Sequence, residues 1–179
     1  CIRDRLMGGD GNIYDCYGLC DKDGEFVVTA THRRIRQSVP GRGVTSFGEI
    51  PATNCPFPHD ELAALTGKLF KEMSYHGIFG VEWLWDTHAS QLVLIDVNAR
   101  PFSSIGHLCD SGVNLPELAV KEIFQDDRPI TPSLGKVEHT YWVNFSSDIF
   151  SARKHILAGN LTLAGWLKDL SSTSSFAFW

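Results

Sequence analysis

Residues 78–100 read Ile-Phe-Gly-Val-Glu-Trp-Leu-Trp-Asp-Thr-His-Ala-Ser-Gln-Leu-Val-Leu-Ile-Asp-Val-Asn-Ala-Arg, two apolar runs separated by a short polar turn. This pattern predicts two β-strands that pair as a hairpin. Side chains alternate across a strand, so Asp96, Asn98 and Arg100 are expected on one face of the second strand. The first strand adds one acid, Glu82, inside an apolar run. The hairpin therefore combines an apolar framework with one polar face.

The polar face offers ligands for a hard cation with an anion beside it. Asp96 and Asn98 supply oxygen atoms, which Mg²⁺ prefers, and Arg100 supplies a planar guanidinium for a phosphate or a carboxylate. Burying the carboxylate of Glu82 among tryptophans is costly unless a partner compensates it, and a metal shared with Asp96 is one such partner. The alternative is an edge hairpin whose polar face is only solvated.

Glu82 reaches the face of Asp96 only if the two strands pair in the right register. Opposed residues of an antiparallel pair share a face, so the paired residue numbers must sum to an even value. A four-residue turn over 87–90 pairs Asp86 with Gln91, an odd sum that directs Glu82 to the other face. The sequence therefore predicts an odd-length turn or a β-bulge in this hairpin.

The run Gly-Val-Glu-Trp-Leu-Trp-Asp, a turn, and then Leu-Ile-Asp-Val-Asn-Ala-Arg-Pro resembles the metal-binding strands of the ATP-grasp superfamily, which end in an acid-x-Asn-x-Arg pattern. The family more often has Glu at the position of Asp96. Residues 111–116, Ser-Gly-Val-Asn-Leu-Pro, resemble the loop that follows these strands. The resemblance implies an α+β fold, with an antiparallel sheet and flanking helices forming the C-terminal subdomain of an ATP-grasp domain at residues 1–125. Residues 126–179 then form an accessory strand and helices.

The same resemblance implies ATP-dependent ligation of the carboxylate–amine ligase type. A carboxylate becomes an acylphosphate, and an amine or a similar nucleophile then displaces phosphate. In this scheme Glu82, Asp96 and Asn98 hold Mg²⁺ or Mn²⁺. Arg100 and Arg36 steady the acylphosphate or the acceptor carboxylate.

Basic residues at 32–37, His-Arg-Arg-Ile-Arg-Gln, add to the candidate site. Alternation predicts that Arg34 and Arg36 share a face, which suits phosphate or carboxylate recognition. A solvated strand end is the alternative. For the nucleotide, the resemblance implies Asp4 beside the adenine and Asp10 near the ribose hydroxyls, with Arg34 assisting. Asp10 is equally explained as a turn residue flanked by glycines.

Length and charge limit the remaining classes of function. The 179 residues, 43% of them hydrophobic, suffice for one globular domain with a core. A net charge of −5, with its basic residues concentrated only at 32–36, argues against a general nucleic-acid partner. No apolar stretch approaches the length of a membrane span. The five cysteines are odd in number and irregularly spaced, so we expect reduced thiols in a cytoplasmic protein.

Elsewhere the sequence predicts strands over 13–20 and 25–35, joined by an Asp-Lys-Asp-Gly turn. Apolar periodicity predicts a helix over 60–76 that Gly77 ends, and a last strand is expected over 137–145. Three further helices are expected after capping residues. The predicted capping residues are Asn114, Ser147 or Asp148, and Thr162.

The chain opens on Cys1 inside a predicted strand and ends on Phe-Ala-Phe-Trp, which favours a piece of a longer protein. The ATP-grasp N-terminal subdomain, with the lysines that contact the ATP phosphates, is expected outside these residues, and the isolated piece is expected to be inactive. A homodimer is compatible with the resemblance. Two other functions stay open. One is a non-catalytic ligand- or partner-binding module, and the other is a metal-dependent hydrolase using Glu82, Asp96 and a histidine such as His107. His107 is also explained as a packed residue.

Overall fold

The computed structural model of the chain describes residues 11–39, 44–58, 60–124 and 137–177. Within these ranges there are seven strands: β1 (Ile13–Cys20), β2 (Phe26–Gln37), β3 (Thr45–Ile50), β4 (Gly77–Asp86), β5 (Gln91–Asn98), β6 (Thr140–Asn144) and β7 (Ser175–Ala177). The same ranges contain five helices: α1 (Glu61–Met73), α2 (Ile105–Asp110), α3 (Leu115–Phe124), α4 (Phe145–Leu157) and α5 (Leu163–Ser171).

The seven strands form one sheet in the order β5-β4-β1-β2-β3-β6-β7. Neighbouring strands are antiparallel except β6 and β7, which run parallel. Two parallel neighbours need a crossover connection, and α4 and α5 supply it. A largely antiparallel sheet with flanking helices confirms the predicted α+β fold class.

The side chain of Asp21 organises the turn between β1 and β2. Its Oδ1 atom accepts hydrogen bonds from the backbone N–H groups of Asp23 and Glu25, both at 2.9 Å. Gly24 has a φ of 76°, a left-handed conformation that glycine adopts without strain. The predicted hairpin is therefore confirmed, with its second strand extended to Gln37.

Apolar side chains cover both faces of the sheet, and β1 is buried along its whole length. We call the two sides the α1 face and the α2–α3 face, after the helices that pack there. The α1 face contains Tyr14, Cys16, Phe79, Val81 and Trp83, with Leu62 and Phe70 from α1. The α2–α3 face contains Tyr17, Leu19, Val28, Ala30 and Ile50, with Leu108 from α2 and Leu115 from α3.

Helix α1 ends earlier than the sequence predicts. Ser74 adopts a left-handed conformation with φ of 48°, and its N–H bonds back to the carbonyl of Lys71. The chain therefore leaves the helix after Met73, and Gly77 is the first residue of β4 and not the helix stop. Periodicity located the helix but not this last turn.

The capping predictions are confirmed at two helices and wrong at one. Asn114 accepts a hydrogen bond from the N–H of Glu117 at 3.2 Å at the start of α3, and Thr162 caps α5. At α4 the capping residue is Asn144, whose side chain accepts from the N–H of Ser147 at 3.2 Å. Asp148 lies buried inside that helix and serves as an ion-pair partner. The last predicted strand is correspondingly shorter, because α4 begins at Phe145.

The proposed division of the chain at residue 125 falls within residues that the structure does not describe, and it stays a prediction. Strands β6 and β7 nevertheless extend the same sheet as β1–β5. Across the described ranges, no helix combines the length and apolar character that crossing a membrane requires. The four described cysteines, at 16, 20, 55 and 109, are free thiols, as predicted.

Candidate functional site

A β-bulge brings Glu82 to the face of Asp96. From the four-residue turn, Asp86 pairs with Gln91, and this register continues until Trp83 pairs with Leu94. The register then shifts, so that Glu82 pairs with Asp96 and Gly80 pairs with Asn98. Ile95 is the extra residue of the bulge. The predicted bulge is confirmed, and it places the oxygen-bearing side chains of both strands on the α2–α3 face.

The three oxygen donors lie at the open end of this face. Asn98 donates a hydrogen bond from Nδ2 to Oδ2 of Asp96 at 3.0 Å, and the Asp96 side chain is exposed. Glu82 is half-buried, with 24% of its side chain exposed. Two carboxylates and an amide oxygen form a donor set that suits Mg²⁺. In the part of the chain that the structure describes, no group of three or more His, Cys, Asp or Glu side chains is placed to hold a metal, so the amide of Asn98 is needed to complete the set.

A guanidinium already compensates the charge of Glu82. Nη2 of Arg34 lies 2.7 Å from Oε1 of Glu82. Burial raises the pKa of Glu82, Arg34 opposes that rise, and the charges of Asp15 and Asp96 add to it. A metal is the partner expected for this carboxylate from the sequence, whereas the structure provides an arginine. Glu82 is thus close enough to Asp96 for their charges to interact.

Asp15 of β1 is the buried centre of this charged group. It is fully buried and pairs across the sheet with both His32 and Glu82. Its carboxylate accepts two bonds from Arg34, at 3.0 Å from Nε and 2.7 Å from Nη2. Nδ1 of His32 lies 2.6 Å away, and the hydroxyl of Tyr17 donates at 3.1 Å. Burial disfavours the charged form, but Arg34 and His32 outweigh it and hold the pKa of Asp15 well below its usual range.

Asp15 is not among the site residues predicted from the sequence. The available signal was an acid in the middle of an apolar strand, opposite a basic run on the next strand of the hairpin. Its contact with Glu82 could not be anticipated, because β1 and β4 are far apart in sequence and become neighbours only in the sheet.

Arg36 does not join this site, and the expectation that Arg34 and Arg36 share a face is wrong. A register shift between them pairs Arg34 with Gly48 but Arg36 with Phe47, the preceding residue of β3. Because opposed residues share a face, the two arginines lie on opposite faces. The guanidinium of Arg36 lies 4.2 Å from the ring centre of Phe47.

On the α1 face, Arg36 forms ion pairs with both helices of the β6–β7 crossover, α4 and α5. It donates to both carboxylate oxygens of Asp148 in α4, at 3.0 and 2.9 Å, and also pairs with Asp169 in α5. Asp148 additionally accepts from Ser46 and from the indole N–H of Trp166. Burial would lower the pKa of Arg36, but these two carboxylates raise it above its usual value.

A pocket of about 220 Å³ opens beside the oxygen donors. Arg34, Glu82, Asn98 and Arg100 line it on the polar side. Its other lining residues are Tyr17, Val44, Thr45, Gly80, Phe102, Ser103, Ser104 and Trp142. Trp142 belongs to β6, so a residue from the predicted accessory segment contributes to the pocket. Arg100 is exposed at this position, and its Nη1 donates to the carbonyl of Pro101 at 3.0 Å.

His107 is a packed residue. Its ring is fully buried, and Nε2 lies 3.0 Å from Oγ1 of Thr140 and 3.2 Å from the Thr140 carbonyl oxygen. These contacts tie α2 to β6. They correspond to the packed alternative and do not bring His107 to Glu82 or Asp96. Asp4 and Asp10, the predicted adenine and ribose partners, lie outside the described residues.

Comparison with known proteins gives a structural match without a sequence match. No protein-family profile matches the sequence, and neither does any curated protein. The fold is similar to Rhizobium etli pyruvate carboxylase T882A with the allosteric activator acetyl coenzyme A, at a TM-score of 0.58 and 19% identity over 74% of this chain and 14% of that one. It is also similar to Kluyveromyces lactis urea carboxylase, at a TM-score of 0.55 and 17% identity over 78% of this chain and 13% of that one.

A third similar structure is the biotin carboxylase domain dimer of Hydrogenobacter thermophilus 2-oxoglutarate carboxylase, at a TM-score of 0.51 and 17% identity over 65% of this chain and 25% of that one. The chain thus spans a quarter or less of the length of each of these proteins. These domains are ATP-grasp enzymes, and the resemblance noted in the sequence is confirmed at the level of the fold. The described chain is similar in fold to part of each of these carboxylases.

Proposed function

We propose that this chain is part of an ATP- and magnesium-dependent ligase that activates a carboxylate as an acylphosphate for attack by an amine or a similar nucleophile. The observation that carries the proposal is the bulge at Ile95, which sets Glu82 opposite Asp96 and on the face of Asn98. Bulges that re-aim a side chain are over-represented next to active sites. The fold supports the same proposal, since the similar 2-oxoglutarate carboxylase domain was determined with MgADP and bicarbonate.

Glu82, Asp96 and Asn98 hold the metal in this proposal. When bound, Mg²⁺ neutralises charge on the ATP phosphates during transfer. These three side chains would hold Mg²⁺ through oxygen atoms, the ligands that this ion prefers. The binding of ATP and Mg²⁺ by this chain belongs to the proposal, as does the further segment that covers the nucleotide.

The acid substrate occupies the pocket beside these donors. One of its carboxylate oxygens attacks the γ-phosphorus of ATP, so that an O–P bond forms and ADP leaves. The nucleophile then adds to the acyl carbon, and inorganic phosphate leaves with the electron pair of the C–O bond. Arg100, exposed at the pocket, binds the negative charge of the acid or of the transferred phosphoryl group. Arg34 faces the same pocket and adds a second positive charge.

A non-catalytic binding module is the second candidate, and one observation favours it. Arg34 already provides Glu82 with a cationic partner at 2.7 Å, so this carboxylate is stable without a metal. A module of this kind would bind an anionic ligand in the pocket without transferring phosphate.

Titration of Mg²⁺ and of MgATP into the protein by calorimetry separates these two functions. The variants Asp96→Ala and Asn98→Ala each remove one proposed metal ligand, and we expect metal-dependent nucleotide binding to collapse in both. Asp23→Ala is the matched control, because Asp23 is an exposed acid in the β1–β2 turn. Unchanged nucleotide binding in Asp96→Ala and Asn98→Ala would contradict the ligase proposal and favour the binding module.

A further inference from the structure

Asp15 has no freedom to reorient within the sheet. Its side chain is fully buried, and its Oδ2 atom is shared by Nε of Arg34, Nδ1 of His32 and the hydroxyl of Tyr17. Its Oδ1 atom accepts from Nη2 of Arg34 at 2.7 Å. A carboxylate that accepts hydrogen bonds from three residues is fixed in orientation. An arginine that donates two parallel hydrogen bonds to it is therefore fixed as well.

One nitrogen atom of Arg34 connects this acceptor to the candidate metal site. Nη2 lies 2.7 Å from Oδ1 of Asp15 and 2.7 Å from Oε1 of Glu82. An Nη atom carries two hydrogens and can donate to both carboxylates at once. The guanidinium plane, set by Asp15, therefore sets the direction from which Glu82 is held.

We propose that Asp15 is a positioning residue, which orients Arg34 so that Arg34 holds Oε1 of Glu82, while the other carboxylate oxygen of Glu82 would remain available to Mg²⁺. This role rests on the proposed function, because Glu82 is a metal ligand only in that function. Residues that hydrogen-bond to metal ligands and orient them tune the affinity of the site for the metal, and their loss typically weakens metal binding by about 10- to 100-fold.

The planar fork of Arg34 is the feature that a lysine cannot replace. Lysine keeps the positive charge but presents one nitrogen, which cannot grip Asp15 through two parallel bonds while also holding Glu82. Arg34→Lys thus separates orientation from charge. Arg33→Lys is the matched control, because Arg33 is the neighbouring residue of the same strand and faces the opposite side, where it donates to the carbonyls of Gly11 and Thr53.

The first experiment measures Mn²⁺ binding to the protein by electron paramagnetic resonance, which reports affinity and the symmetry of the bound ion. We expect Arg34→Lys to weaken Mn²⁺ binding about tenfold and to change the spectrum of the bound ion. Arg33→Lys is expected to match the unaltered protein in both readouts. An Arg34→Lys protein with unaltered affinity and spectrum overturns the positioning role.

The second experiment uses chemical rescue to test whether Arg34 must contact Asp15 and Glu82 together. Arg34→Gly leaves a space at the pocket wall, and millimolar guanidinium chloride is expected to return Mn²⁺ affinity and the bound-ion spectrum toward those of the unaltered protein. Methylammonium has the same charge but no fork, and we expect no recovery from it. The rescue is expected to disappear when Asp15→Asn is combined with Arg34→Gly. Equal recovery with both cations, or none with guanidinium, contradicts the proposal.

Failure of the proposed function is distinguishable from failure of this inference. If the unaltered protein binds no Mn²⁺, or if Glu82→Gln binds it as tightly as the unaltered protein, the metal site itself is wrong and the positioning role falls with it. If Mn²⁺ binding depends on Glu82 but is indifferent to Arg34→Lys and to guanidinium, the metal site stands and only the role of Asp15 and Arg34 is wrong.

Discussion

His107 is a neutral, buried imidazole over most of the acid range. Burial, followed by the nearby His32, lowers its pKa to about 3, and Nε2 is held by Thr140. In the unfolded chain the same imidazole takes up a proton near pH 6.5. The unfolded state therefore binds more protons than the folded state between about pH 3 and 6.5, and stability rises with pH across this window.

We predict that His107→Gln flattens this pH dependence. Glutamine does not titrate, so the variant loses a slope of up to about 1.4 kcal/mol per pH unit in the free energy of unfolding between pH 6 and pH 4. Urea unfolding at several pH values measures it. His88→Gln is the control, since His88 is exposed in the β4–β5 turn. An identical slope in His107→Gln and the unaltered protein would show that His107 is not the group responsible.

Two β-bulges decide which side chains meet in the sheet. The bulge at Ile95 turns Glu82 toward Asp96, and the shift in β2 turns Arg36 away from Arg34. The first bulge is predicted from the parity of the paired residue numbers, because a four-residue turn alone would direct Glu82 to the face opposite Asp96. No local sequence pattern marks the second, because it lies in the pairing of β2 with β3, which are joined by a longer connection than a tight turn.

The ion pair of Arg36 with Asp148 joins helix α4 of the crossover to strand β2 of the sheet. Arg36 is 4% exposed and Asp148 is fully buried. We predict that Asp148→Ala destabilises the protein by about 3 kcal/mol, because among the described residues it leaves the buried charge of Arg36 with Asp169 as its one remaining carboxylate partner. Chemical denaturation measures this loss.

Replacing both Arg36 and Asp148 tests the same ion pair without leaving one buried charge unpaired. Arg36→Met combined with Asp148→Leu is expected to be less destabilised than Asp148→Ala, because no buried charge is left unpaired. A double variant that loses more stability than Asp148→Ala would show that the unpaired charge of Arg36 is not what destabilises the single variant.

At the scale of the whole molecule, the sheet joins the first and last parts of the chain. β6 pairs with β3, Trp142 of β6 lines the pocket, and His107 of α2 bonds Thr140. We predict that a chain ending at residue 124 loses cooperative unfolding, because its β3 edge is unpaired and Arg36 loses Asp148. Circular dichroism during urea unfolding is the measurement. A sharp transition in the shortened chain, at the same denaturant concentration as in the 179-residue chain, would contradict this.

Local sequence patterns predict strands β1, β2, β4 and β5 and one half of the site, but neither β3 nor β7. Alternation identified β1, β4 and β5, and the acid-x-Asn-x-Arg run placed Asp96 and Asn98 on one face. These features depend on neighbours within a few residues or on one tight turn, whose geometry the chain encodes locally.

The other half of the site forms only when the strands assemble into the sheet. Asp15 meets Glu82 because β1 lies between β2 and β4, and Trp142 reaches the pocket because β6 follows β3 in the sheet. Such contacts join residues far apart in the chain. Burying a charge costs free energy unless it finds a partner, and which partners are within reach depends on strand order and register. Neither strand order nor the register shift in β2 can be deduced from local pattern. For this reason the different partners of Arg34 and Arg36, which are two residues apart on one strand, could not be predicted.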